Sequence, residues 1–186
     1  MRVTAGAAKG RRLRSAARAG LRPTSARVKD ALLGALAARL PGARVLDLFA
    51  GTGGIGIEAL SRGAREAVFV ERDPRTAAVI RENLARAHLS DRATVRRASV
   101  LTEVPALARS GMRFDLVVLD PPYGRGLQAL TLRLLAASRL LAPGGVAVAE
   151  GHWRDDPGEV EGLRRIRAAR YGETALWFYE AEDDAA

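Results

Sequence analysis

The spacing of apolar residues changes twice along the 186-residue chain. Met1–Thr4 and Arg11–Leu13 predict two short strands about a Gly6–Gly10 turn. Arg22-Pro23-Thr24-Ser25 then supplies a proline turn and an N-cap, after which apolar residues recur at Val28, Leu32, Leu33, Leu36 and Leu40. That helical spacing stops at Pro41-Gly42. From Arg44 onward, short apolar runs alternate with helical segments. Strands are predicted over 44–49, 67–71, 93–97, 114–120, 145–150, 163–170 and 175–180, and helices over 54–62, 74–88, 102–110 and 127–141. Central runs such as Leu116-Val117-Val118-Leu119 are apolar on both faces, as in a parallel sheet covered by helices on each side. The expected fold is α/β, with residues 1–30 as an N-terminal arm and residues 31–186 as the main domain. The acidic stretch Glu180–Asp184 is expected to fray.

Composition narrows the classes. At 48% hydrophobic and 27% charged, the chain can bury a core, and wholesale disorder is excluded. No apolar run approaches the roughly 18 residues of a membrane span. The basic N-terminus has no apolar stretch that could serve as a secretory signal. The absence of cysteine excludes disulfides and thiolate metal sites and makes a reducing cytoplasm the expected location. With only His88 and His152, neither a histidine metal cluster nor a histidine-based triad is expected, and both histidines read as structural or exposed.

Charge adds a positive clue. Residues 1–30 hold nine Lys or Arg and one acid, so +8 of the formal +9 lies there, while the remainder carries 21 bases against 20 acids. A GC-rich genome would explain why 28 of 30 bases are Arg, but not why the excess gathers at one end. A basic arm beside a near-neutral body suits a polyanion, most often nucleic acid; the competing reading is a merely solvated arm.

Two segments carry chemistry. In Val45-Leu46-Asp47-Leu48-Phe49-Ala50-Gly51-Thr52-Gly53-Gly54-Ile55-Gly56, a strand enters a glycine-rich turn and then a helix, which brings backbone close to a ligand. Gly51, Gly53 and Gly56 satisfy the dinucleotide fingerprint, and Glu71 stands 20 residues past Gly51. Asp47 separates the readings. A carboxylate there repels a pyrophosphate but suits a cationic ligand such as S-adenosylmethionine, whose ribose Glu71 would hold; the plainer alternative is a buried acid capping the turn. The second segment is a buried strand ending in Asp120-Pro121-Pro122-Tyr123. Two prolines fix φ and remove donors, leaving the Asp120 carboxylate and Pro121 carbonyl as acceptors for an exocyclic base amine. Tyr123 offers the stacking surface, worth about 1–3 kcal/mol for a base taken out of its helix.

The Asp-Leu-Phe-Ala-Gly-Thr-Gly loop together with Asp-Pro-Pro-Tyr resembles the class I amino-methyltransferases. Gly10-Arg11-Arg12-Leu13, Leu21-Arg22-Pro23-Thr24, Arg27-Val28-Lys29-Asp30 and Val68-Phe69-Val70-Glu71-Arg72-Asp73 narrow the resemblance to the RsmD-type 16S ribosomal RNA guanine-N2 methyltransferases of bacteria. It spans about residues 1–180 and implies a three-layer Rossmann-like fold with a seven-stranded, mostly parallel sheet whose last strand is antiparallel. The short basic arm would form a β-hairpin extension. S-adenosylmethionine is the implied cofactor, with Asp47, Phe49, Gly51, Gly53, Glu71 and Arg72 as contacts. Where many methyltransferases place an acid or Asn for the adenine amine, this chain has Ser99, a shorter acceptor, beside the Val100 backbone N–H. The implied catalytic set is Asp120, Pro121, Pro122 and Tyr123. The substrate would be the guanine at position 966, presented by the small ribosomal subunit or an assembly intermediate. Arg11, Arg12, Arg14, Arg22 and Thr24 would contact the RNA. A monomer without metal or membrane association is expected.

Other readings compete. A DNA adenine- or cytosine-amino methyltransferase needs the same acceptor pair, although 186 residues leave little room for a target-recognition region. A nicotinamide dehydrogenase explains neither Asp47 nor Asp-Pro-Pro-Tyr. A non-catalytic RNA-binding protein on this scaffold would be expected to lose Asp47 or Asp120.

Overall fold

The computed structural model describes residues 1–15, 26–122, 124 and 126–182. Seven strands form one sheet: β1 (Arg44–Leu48), β2 (Glu66–Val70), β3 (Ala93–Arg96), β4 (Phe114–Leu119), β5 (Leu141–His152), β6 (Leu163–Tyr171) and β7 (Thr174–Ala181). Their order is β3-β2-β1-β4-β5-β7-β6. Neighbours from β3 through β5 are parallel, and β7 runs antiparallel to both β5 and β6. The expected sheet, with its last strand reversed, is the one observed.

Among the described residues five α-helices cover the sheet: α1 (Ala26–Ala35), α2 (Gly54–Ser61), α3 (Pro74–Ala87), α4 (Val100–Arg109) and α5 (Leu127–Ser138). The strands alternate their side chains between two cores. Val45, Phe69, Val118 and Val148 pack with α1, α2 and α3 on one face. Leu46, Val68, Val117 and Ala147 pack with α4 and α5 on the other. Among the described residues no helix is long and apolar enough to cross a membrane.

Local chemistry sets the element ends. Asp73 caps α3 by accepting from the Thr76 N–H at 2.8 Å, Pro74 occupies its first turn, and His88 closes it at φ 58°. α4 starts two residues earlier than predicted and contains Pro105, a residue that reads as a breaker in sequence. α1 is shorter than its apolar spacing suggests. It ends at Ala35 and a tight turn over Ala37–Arg39 follows, yet Leu36 and Leu40 remain buried. β5 begins four residues earlier than expected because Pro143-Gly144-Gly145 is absorbed within the strand, where the register with β4 shifts. The proline turn expected at 22–25 lies outside the described residues.

The arm is welded to the body. Its two short extended pieces meet through the Val3 N–H to Arg11 carbonyl bond at 3.0 Å and the Leu13 N–H to Met1 carbonyl bond at 2.9 Å. Val3, Ala8 and Leu13 are buried in the α1/α2/α3 core. A Cβ at Gly6 would stand 1.8 Å from the Ser61 carbonyl oxygen, so only glycine permits this approach. The expected boundary between residues 30 and 31 falls inside α1.

Glu58 fixes the arm from below. It is fully buried on α2 and accepts from the Thr4 N–H at 3.0 Å, the Thr4 hydroxyl at 2.7 Å, the Ala5 N–H at 2.9 Å and Lys29 Nζ at 3.1 Å. Burial alone would raise its carboxyl pKa, but the Thr4 and Lys29 hydrogen bonds outweigh burial and hold it below the ordinary value.

Candidate active site

Parallel order reverses between β1 and β4, and the crevice beyond the carboxyl ends of those strands is where open α/β sheets bind ligands. The glycine loop fills one side of it. After β1 the chain passes through Phe49 at φ 60°, Gly51 at φ 54° and Gly53 at φ 80° before α2 begins. A Cβ at Gly56 would lie 2.3 Å from Phe69 Cε1, so the third glycine lets α2 seat directly on β2. Phe49 holds a left-handed conformation that non-glycine residues rarely adopt, a local strain maintained by the surrounding structure.

Three carboxylates converge at this edge. Asp47 is 2% exposed, and its Oδ2 accepts from the Gly56 N–H at 2.9 Å, satisfying a donor in the first turn of α2. The capping alternative therefore describes a contact that the carboxylate makes. Burial raises its pKa to about 8 against the opposing Gly56 hydrogen bond, with Asp120 and Glu71 adding repulsion. Glu71, just past β2, accepts from the Gly51 N–H at 3.0 Å and the Asp73 N–H at 2.8 Å. One carboxylate thus binds the glycine loop to the turn that starts α3. Asp120 follows β4, with its N–H 3.5 Å from the Leu48 carbonyl. Glu150 is buried on β5, level with Asp120 by the parallel register. Such a concentration of acids on apolar walls favours a cationic ligand. Among the described residues, no group of three or more His, Cys, Asp or Glu side chains is placed to hold a metal ion.

The other expected residues divide by position. Pro121 is buried and Pro122 exposed directly after Asp120, while Tyr123 lies outside the described residues. Ser99 is exposed at the start of α4 and makes no side-chain capping bond, and Val100 beside it is buried. Arg72 is exposed next to Glu71. Arg11 and Arg12 are exposed on the arm. Arg14 is ion-paired to Glu82 of α3. Arg22 and Thr24 lie outside the described residues.

Asn83 was missed by sequence reasoning. Fully buried on α3, it accepts from the Arg14 N–H at 2.7 Å and donates to the Arg14 and Thr52 carbonyls, each at 3.0 Å. It therefore bridges the arm to the glycine loop. The available signal was a polar residue on the apolar stripe formed by Ala77, Ile80, Leu84 and Ala87. Concavities of about 190 and 300 Å³ occur at the opposite, amino-terminal edge of the sheet, beside Glu66 and Asp91 and beside Arg39 and Asp115 respectively. Neither reaches the glycine loop.

Over residues 1–180 the chain matches the family described as conserved hypothetical protein 95. It is 37% identical over 182 residues to YlbH of Bacillus subtilis (strain 168), covering 97% of this chain and 98% of that one. It is 36% identical over 142 residues to ribosomal RNA small subunit methyltransferase D of Escherichia coli (strain K12), covering 76% and 70% of the two chains. The solved structure of Escherichia coli yhhF shares its fold with a TM-score of 0.86 at 32% identity, covering 98% of each chain.

Proposed function

The chain belongs to the RsmD-type family of class I methyltransferases, and on that premise we propose that it methylates the exocyclic N2 amine of a guanine in 16S ribosomal RNA within small-subunit particles. The observation that carries the site assignment is the convergence of Asp47, Glu71 and Asp120 where strand order reverses. S-adenosylmethionine fits that donor set: an ammonium and a sulfonium suit the acids, and ribose hydroxyls suit Glu71. When bound, it supplies an activated methyl group. Phe49, Gly51, Gly53 and Arg72 would line it, with Ser99 and the Val100 N–H toward the adenine.

The residues of the chain act on the acceptor. A guanine N2 lone pair is delocalised into the ring, so the amine is a poor nucleophile. Asp120 and the Pro121 carbonyl accept its two N–H groups, favouring a pyramidal nitrogen and stabilising the positive charge that develops there. Pro122 holds the turn, and Tyr123 stacks on the extruded base. Holding the amine in line with the transferred carbon supplies much of the remaining rate. The alkylated nitrogen is acidic, so the Asp120 carboxylate suffices to take its proton. Arg11, Arg12 and Arg14 contact RNA phosphates outside the target base, and Arg22 and Thr24 contact the substrate beside the target nucleotide.

A direct comparison tests this reading. Labelled methyl transfer is measured on unmethylated small subunits, naked 16S RNA and DNA. Incorporation into the subunits is expected; incorporation into DNA alone would favour an amino methyltransferase of DNA.

A further inference from the structure

The substrate half of the sheet carries a second cationic feature, remote in sequence from the arm. β5 ends at His152, and Trp153 and Arg154 follow immediately. Trp153 is half-buried, and its backbone N–H donates to the Glu173 carbonyl at 2.9 Å. Two guanidinium groups lie over its ring, with Arg170 Cζ 4.1 Å and Arg154 Cζ 4.9 Å from the centroid. Arg170 also donates from Nε to the Gly172 carbonyl at 2.7 Å. Both arginines are exposed, and neither forms an ion pair among the described residues. Arg164 and Arg165, by contrast, are paired with Glu180 and Asp156. Edge strand β6 contains four arginines and no acid. Arg167, with its Cζ 5.4 Å from the Phe178 ring centroid, is likewise without an ion pair among the described residues, but only at Trp153 do two guanidinium groups share one ring.

Position gives this cluster its meaning. The parallel register sets Leu119 opposite Ala149, so Asp120 is level with Glu150 on the neighbouring strand. Trp153 is three residues further along, roughly 10 Å at the usual strand rise. That distance corresponds to about three stacked nucleotides. Planar guanidinium groups held on an aromatic ring are suited to phosphate oxygens, and they lose little entropy on binding them.

We propose that Trp153, Arg154 and Arg170 form a phosphate-binding platform for the RNA strand flanking the target nucleotide. The proposal rests on the reading that the Asp120 edge receives RNA. It adds a contact on the body of the protein, so that the substrate is held by the arm and by the platform.

The test uses the full chain, unmethylated small ribosomal subunits, naked 16S RNA and the variants Arg154→Gln, Arg170→Gln and their double. Salt-dependent binding should lose about 0.7 log units of slope per phosphate contact removed. The double variant should keep the wild-type affinity for S-adenosylhomocysteine and, at saturating RNA, a single-turnover rate within about twofold of wild type if phosphate contacts only position the strand. Trp177 is buried, so quenching of tryptophan fluorescence by RNA should report Trp153 and vanish in Trp153→Phe. Among the described residues the Arg154 side chain makes no hydrogen bond, so Arg154→Gln alone decides the matter should Arg170→Gln unfold. A double variant with the wild-type slope, in a protein whose wild type methylates RNA, overturns the platform alone and leaves a structural clamp. A wild type that binds neither the subunits nor 16S RNA overturns the underlying functional reading and the platform with it.

Discussion

Replacing Asp47 with Asn tests the electrostatics on which the cofactor assignment depends. Asp47 is buried with Glu71 and Asp120 nearby, and its carboxyl titrates at about 8 instead of 3.8. The folded chain therefore holds a proton that the unfolded chain has already released over that interval. Stability must fall as pH rises from about 4 to about 8, by about 1.4 kcal/mol per unit, and level off above it. Asparagine does not titrate, and its carbonyl can still accept from the Gly56 N–H. The stability difference between Asp47→Asn and wild type should therefore move in favour of the variant by about 4 kcal/mol between pH 5 and pH 8. Urea unfolding at unit pH intervals, without ligand, measures this difference directly. A cationic ligand stabilises the carboxylate, so S-adenosylmethionine should bind the variant more weakly and should reduce the pH slope of the wild type. A stability difference that stays constant from pH 5 to pH 8 would refute the reasoning, because Asp47 would then titrate as an ordinary surface acid.

Three further outcomes are expected. Glu71→Ala should weaken cofactor binding by about 1.5–3 kcal/mol in calorimetry, the usual worth of hydrogen bonds to a charged group; unchanged affinity would remove Glu71 from the site. Asn83→Ala strips partners from the Arg14 N–H and from the Arg14 and Thr52 carbonyls, so it should cost about 2–4 kcal/mol in chemical denaturation and loosen the glycine loop. Replacing Arg11, Arg12 and Arg14 with Ala should weaken particle binding and lower its salt slope by about 0.7–0.9 log units per lost phosphate contact, without altering cofactor affinity. Arg14 should contribute least of the three, since Glu82 already compensates it.

The period of the apolar residues located every strand of the sheet, and most plainly the central ones, because strands buried on both faces leave unbroken runs such as Leu116–Leu119. Glu71 and Asp120 stand just past the ends of such runs, whereas Asp47 lies within one and is marked by the glycine loop that follows it. What periodicity could not show was which polar residues work inside the core. Glu58 and Asn83 sit on helices that read as ordinary apolar stripes, and only tertiary contact reveals that they tie the arm to α2 and to the glycine loop. Charge counting found the basic arm but treated the remainder as neutral, because the acids that offset Arg154 and Arg170 in sequence do not pair with them in space. Chain ends of elements moved where tertiary packing overrode local signals, as at Pro105 within α4 and Pro143 within β5.

On the proposed function, the edge formed by Asp120 and its prolines holds the exocyclic amine of an RNA guanine for methylation. The most direct measurement is a single-turnover reaction with labelled S-adenosylmethionine and unmethylated small subunits, followed by digestion of the 16S RNA to nucleosides and identification of the labelled product. Wild-type protein should yield N2-methylguanosine at one site, and Asp120→Ala should reduce the rate far more than it reduces cofactor affinity, since its acceptor acts in the transition state. Label in another nucleoside, or an Asp120→Ala variant that forms N2-methylguanosine at the wild-type rate, would contradict it.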